Sequence, residues 1–193
     1  MTAYRSTRSF GAAQIRTFLE AVDRHLVRSV RIEVIGGSAA ALAHGATSTT
    51  TDLDTFTCTS AELDRAVAHA VVATGFAIPV THAGVADVPI NYSDRLERHL
   101  PHLAQLEVWV LEKHDLVLSK AVRCHEHDLQ QLREIHQHVG LSAEVLVQRF
   151  VAEMQHVIGD PGRLRADFLL MIEDVFGELP RVQAERALRV PRG

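Results

Sequence analysis

Ile32, Val34 and Ile35 are apolar around a polar Glu33, and their β-branched side chains suit a buried strand. Ahead of it, Ile15, Phe18, Leu19, Val22 and Leu26 recur at helical spacing, which predicts a helix over 12–28 packed on the sheet. Alternation or short apolar runs predict further strands at Asp52–Cys58, Phe76–Val80, Val85–Ile90 and Leu106–Leu111. A helix with Leu63, Val67, Ala70 and Val71 on one side is opened by the capping box Thr59-x-x-Glu62 and ended by Gly75. Residues 91–104 are polar and read as irregular.

Later helices are expected from Leu116 to about Cys124, capped by Asp115, over 128–139, and from a Ser142 cap through Ile158. Asp160-Pro161-Gly162 reads as a turn before a last helix carrying Leu164, Phe168, Met171, Ile172 and Val175. After Pro180 the chain is polar and Arg-rich. Strands early and helices late predict an α/β (α+β) fold. A small mixed β-sheet is flanked by helices, with a helical C-terminal portion. The expected organisation is an α/β core over 1–114, a helical portion packed on it over 115–180, and a mobile tail over 181–193.

Composition narrows the classes. The chain has 193 residues, 47% apolar and 23% charged, enough for a compact core. A formal net charge of −4 gives no general pull on nucleic acid, although Arg123, Arg133 and Arg149 could line a local basic groove. Cys58 and Cys124 have no paired spacing, so no disulfide framework is implied and a reduced cytoplasm fits. The N-terminus lacks an apolar signal region, and no apolar run is long enough to cross a bilayer.

The chemistry concentrates between Arg31 and Thr57. Gly36 and Gly37 follow a strand and allow close approach of a ligand to the main chain. Ser38 can cap a helix over Ala39–Ala43, whose free N–H groups make an anion site. Asp52 and Asp54 are two apart, so in a strand both point to one face, where a divalent cation relieves their repulsion. A phosphate cradle feeding a metal site points to phosphoryl or nucleotidyl transfer. Read alone, Lys120 is a lysine snorkelling from an apolar helix and Asp128 is an N-cap. Cys124-His125-Glu126-His127 points its ligands in different directions, and structural or surface roles are expected for it.

The strand, Gly37-Ser38 and Asp52-Leu53-Asp54 together resemble the nucleotidyltransferase superfamily that includes DNA polymerase beta. The segments Val110–Lys120 and His127-Asp128-Leu129 are similar to uncharacterised bacterial nucleotidyltransferases related to the AbiEii toxin group. The resemblance covers about residues 32–135. It implies Mg²⁺ or Mn²⁺ held by Asp52 and Asp54, and a nucleoside triphosphate held by Gly36, Gly37 and Ser38. It also implies Lys120 as a further cation and Asp128 as an acid beside the centre. Relatives usually carry another acid three residues on, where this chain has Gln131. Many members use a third carboxylate on a later strand, for which Glu107 and Asp87 are the candidates. The implied acceptor is a hydroxyl of RNA, protein or a small molecule, with a toxin–antitoxin or phage-defence role and a cognate antitoxin. The alternative is an inactive member that binds a nucleotide or a partner.

Overall fold

The alternation at Ile32–Val34 becomes the central strand of a five-stranded mixed sheet in the computed structural model, which describes residues 8–84, 87–122 and 124–189. The chain forms two compact units, Met1–Gly84 with Leu96–Leu111, and Val85–Arg95 with Glu112–Gly193.

In the first unit, helix α1 (Ala12–His25) leads to β1 (Val30–Val34), α2 (Gly36–Ala43), β2 (Leu53–Thr55), α3 (Ala61–Thr74) and β3 (Val80–His82). Strands β4 (Glu97–His99) and β5 (Leu106–Val110) complete the sheet in the order β3-β2-β1-β5-β4. β1 runs parallel to β5 and antiparallel to β2, β2 is parallel to β3, and β4 is antiparallel to β5. One sheet face is fully apolar or satisfied: Ile32, Val34, Leu53, Thr55, Leu106, Val108 and Val110 are all buried. α1 packs against α3, α2 and β5 through Ile15, Phe18, Leu19 and Val22. Each such side chain, fully removed from water, contributes about 1.5–3 kcal/mol. Asp23, near the end of α1, accepts from the backbone N–H groups of Ala104, Gln105 and Leu106 and so fixes where β5 begins. Burial raises the Asp23 pKa, but these three backbone donors outweigh it and leave the pKa lowered.

The opposite face carries Arg31, Glu33, Asp54, Glu107 and Trp109. The reason is the register: Val34 stands opposite Thr55 with both buried, so their odd-numbered and even-numbered neighbours point the other way.

In the second unit, a 3₁₀ turn (Tyr92–Arg95) accompanies α4 (Lys113–Ala121), α5 (Glu126–Val139), α6 (Ala143–Glu153), α7 (Pro161–Phe176) and α8 (Glu178–Ala187). Its interior includes Leu116, Val117, Leu118, Leu132, Ile135, Leu146, Phe168, Met171 and Ile172.

Several local expectations shift. The strand expected at Phe76–Val80 begins only at Val80, since Pro79 has no N–H to give a ladder; its carbonyl instead accepts from Leu53. The strand expected at Val85–Ile90 is not formed over residues 87–90, which include Pro89; Val85 and Ala86 lie outside the described residues. The fifth strand is β4, whose short charged sequence Glu97-Arg98-His99 is typical of an edge. α3 is capped by Ser60, whose hydroxyl accepts from Leu63, one residue after the expected Thr59. Asp160 is the N-cap of α7, with Pro161 in its first turn, so the expected turn is a helix start. Helix α8 occupies residues read as a polar tail: Gly177 at φ 89° ends α7, and Pro180 falls in the first turn of α8, where a missing N–H costs nothing. Arg123 and residues 190–193 of the expected tail lie outside the described residues.

Candidate functional site

β1 delivers the chain into the glycine turn, and β2 lies alongside it. Ile35 donates its N–H to the Asp54 carbonyl at 2.9 Å, and Phe56 donates to the Glu33 carbonyl at 3.0 Å. The turn and the aspartates are therefore neighbours across one ladder. Gly36 has φ 64°, a left-handed conformation, and a Cβ there would sit 3.0 Å from Asp54 Oδ2. Only glycine meets both conditions without strain. A Cβ on Gly37 would lie 3.1 Å from Thr50 Oγ1. Thr50 in turn donates to the Asp52 carbonyl at 3.1 Å and to its carboxylate at 3.3 Å. It is held in place by a two-way backbone pairing with Phe10.

Asp52 precedes β2 by one residue and Asp54 lies within it. Both are half-buried, while the alternate Leu53 and Thr55 are buried. The pair thus shares one side of the strand. Ser38 does not cap. α2 starts at Gly36 with Ile35 as N-cap, and the buried Ser38 hydroxyl donates to the Ile35 carbonyl at 3.0 Å. Ile35 has no side-chain acceptor, so the first-turn N–H groups depend on something other than a side-chain cap.

The candidates for a third carboxylate are placed differently. Glu107 is level with Arg31 in the parallel ladder, two residues before the level of Glu33. Asp87 belongs to the second unit. Among the described residues, no group of three or more His, Cys, Asp or Glu side chains is arranged to hold a metal ion. Glu33 shares the face of Asp54, pairs with Arg31 at 3.0 Å, and was not singled out by sequence because a lone Glu in an apolar strand carries no motif. The Arg31 guanidinium lies 4.7 Å from the centre of the Trp109 ring.

In the second unit the structure brings Lys120 and Asp128 together. The ammonium donates to Asp128 Oδ1 at 3.0 Å, and the residues are 3% and 5% exposed. Lys120 therefore does not snorkel, and Asp128 lies inside α5 instead of capping it; the N-cap is His125. Gln131, at the position where relatives carry an acid, is buried. Cys124 donates to the Asp167 carbonyl at 3.5 Å, and burial raises its pKa; His125, Glu126 and His127 are exposed.

A second cluster in this unit had no sequence signal at all. Asp115, fully buried, receives two hydrogen bonds from Arg95, at 2.8 and 3.1 Å, and one from Arg149 at 2.8 Å. Arg95 also binds Glu153 at 2.7 Å, and Arg149 binds Glu112. Glu112 is the N-cap of α4, accepting from the His114 backbone N–H at 3.0 Å, which displaces the Asp115 cap read from sequence. His114 Nε2 accepts from the Ser142 N–H, so Nδ1 carries the proton and donates to Glu112 at 2.7 Å. Burial pushes Glu112 up, but the His114 and Arg149 contacts prevail and hold it at about 2.

Residues 13–173 match the profile of a family described as "Nucleotidyltransferase of unknown function (DUF6036)". No curated protein and no solved structure matches the chain. Among the described residues, no helix is long and apolar enough to cross a membrane.

Proposed function

Because the chain belongs to this family of nucleotidyltransferases of unknown function, we propose that its first unit moves a nucleoside monophosphate from a nucleoside triphosphate to a hydroxyl acceptor. The observation that carries the reading is Gly36. A left-handed glycine, at which a Cβ would come within 3.0 Å of the Asp54 carboxylate, stands at the start of a helix whose N-cap offers no side-chain acceptor. That arrangement exposes bare backbone beside an anion-seeking helix terminus and a cation-seeking aspartate.

The donor set fits a hard divalent ion such as Mg²⁺ or Mn²⁺, since it consists of carboxylate oxygens from one strand face. Asp52 and Asp54 would hold the ion, which when bound offsets charge on the phosphates and the attacking oxygen. The backbone N–H groups of Gly36 and Gly37 orient the phosphates as fixed dipoles. Ser38 braces the turn through the Ile35 carbonyl. Thr50 holds the Asp52 carboxylate from behind. An acceptor on RNA or protein, with a toxin–antitoxin role and a cognate antitoxin, is the reading supported by the resemblance to AbiEii-related proteins.

A second reading, an inactive nucleotide-binding member, is favoured by the two-carboxylate set, since among the described residues no group of three or more His, Cys, Asp or Glu side chains is arranged to hold a metal ion. Release of pyrophosphate decides between them. The protein is incubated with labelled nucleoside triphosphates, Mg²⁺ and total RNA. The transferase reading expects pyrophosphate release that falls by more than about 100-fold in Asp54→Asn, with binding of Mg²⁺ weakened in calorimetry. Nucleotide binding with no pyrophosphate from any nucleotide would establish the binder instead.

A further inference from the structure

The sheet face that carries Asp54 also carries the only tryptophan of the chain. Trp109 stands level with Glu33 of β1 on one side and with Arg98 of β4 on the other. The Arg31 guanidinium lies over the indole at 4.7 Å, and its side chain remains 47% exposed. Each plane is restrained at its edge by a carboxylate. Glu33 holds Arg31 at 3.0 Å, and the indole N–H makes a long 3.5 Å contact to Glu107.

Resting on the nucleotidyl-transfer reading, we propose that the Arg31–Trp109 stack is the seat of a nucleobase, either the base of the triphosphate or a base of a nucleic-acid acceptor. A guanidinium stacked on an indole offers a flat, weakly hydrated surface, and bases stack on both kinds of plane. The charge around it is balanced, with Glu33 and Glu107 offsetting Arg31 and Arg98. Such a seat selects an uncharged ring and leaves the phosphates to the glycine turn. The position is suitable as well. Trp109 is two strands and one same-face step from Asp54, about 12 Å by strand spacings, so a base stacked there can have a phosphate at the aspartates. A plain sheet-surface cation–π contact would explain the stack but would give a ligand no reason to touch it.

Trp109 is its own probe. Its fluorescence is titrated with a nucleoside triphosphate plus Mg²⁺, with a single-stranded RNA oligonucleotide carrying no triphosphate, and with tripolyphosphate. Saturable quenching by the nucleotide places the donor base on the stack, and quenching by the oligonucleotide places an acceptor base there. Tripolyphosphate should leave the signal unchanged. Trp109→Leu and the surface variant Arg31→Ala should each raise the calorimetric Kd for the quenching ligand by about 5- to 150-fold, while Trp109→Phe keeps most of the affinity. Should Trp109→Leu fail to fold, Arg31→Ala and Trp109→Phe carry the comparison. The proposal is overturned if neither base-bearing ligand quenches, or if Arg31→Ala and Trp109→Leu bind as the native chain does. A native protein that releases no pyrophosphate but still shows base-dependent quenching retains the seat and loses the transferase reading. Pyrophosphate release with no quenching does the reverse.

Discussion

Gly36 is the residue whose identity the geometry constrains most. Gly36→Ala must hold a left-handed backbone, at a cost of about 1–2 kcal/mol, and also displace the Asp54 carboxylate. We expect that loss in urea denaturation and a larger fall in pyrophosphate release. Gly37→Ala meets only the Thr50 hydroxyl, which can turn aside, and should cost less on both counts. Equal activity in Gly36→Ala and the native chain would remove the turn from the site. Lys120 makes a different case. Lys120→Met leaves Asp128 buried beside an apolar chain and should destabilise by about 3–5 kcal/mol, whereas Lys120→Met with Asp128→Leu should recover much of it. Denaturant midpoints of the three variants test this. A folded Lys120→Met that loses turnover alone would instead give the lysine the catalytic role implied by resemblance. The glycine turn and the Asp-x-Asp pair could be read from sequence because each is built from near neighbours. The donation from Ser38 to Ile35 could not, since it depends on where α2 starts.

At the level of elements, α4 shows how a helix start can be displaced by its surroundings. Asp115 has the ordinary look of a cap, yet Arg95 and Arg149 take it into the interior, and Glu112 caps instead. This makes the segment acid-sensitive. The folded pKa of Glu112, about 2, lies below its ordinary 4.5, so the native state favours the ionised form. Its contribution, roughly 3 kcal/mol, is full above 4.5 and is lost as pH falls toward 2. The native chain should therefore lose stability steeply across that window, and Glu112→Gln should show a shallower slope from a lower starting stability. Urea midpoints between pH 6 and 2.5 would settle it; parallel slopes would rule Glu112 out as the acid-sensitive group. The edge strand β4 escaped sequence reading for a related reason: Glu97-Arg98-His99 has no apolar alternation, and its strand character comes entirely from pairing with β5.

Across the whole molecule, the chain passes between its two compact units three times, so neither is a continuous stretch. Arg95 marks one of those passages. Within the second unit it reaches Asp115, 20 residues on, and Glu153, 58 residues on. Removing it should strip a fully buried carboxylate of its bidentate partner. Arg95→Met is expected to cost about 3 kcal/mol and to raise hydrogen exchange jointly in 90–95 and at the start of α4. Exchange that rises in 90–95 alone would show that the ion pair does not couple them.

The sequence by itself determined the mixed fold, the helix periodicities, the Ser142 cap and the Gly75 stop, and the candidate phosphate turn with its paired aspartates. These follow from side-chain spacing and backbone freedom over a few residues, and they survive almost any packing. Tertiary structure alone decided which face of β1 carries Glu33 with Asp54 and Trp109, because register is set by partner strands distant in sequence. It alone placed Lys120 against Asp128 and drew Arg95, Asp115, Arg149 and Glu112 into one network. Charged residues look alike in a sequence whether solvated or buried. Only the surrounding apolar packing makes a partner necessary, and only the fold determines which partner is near.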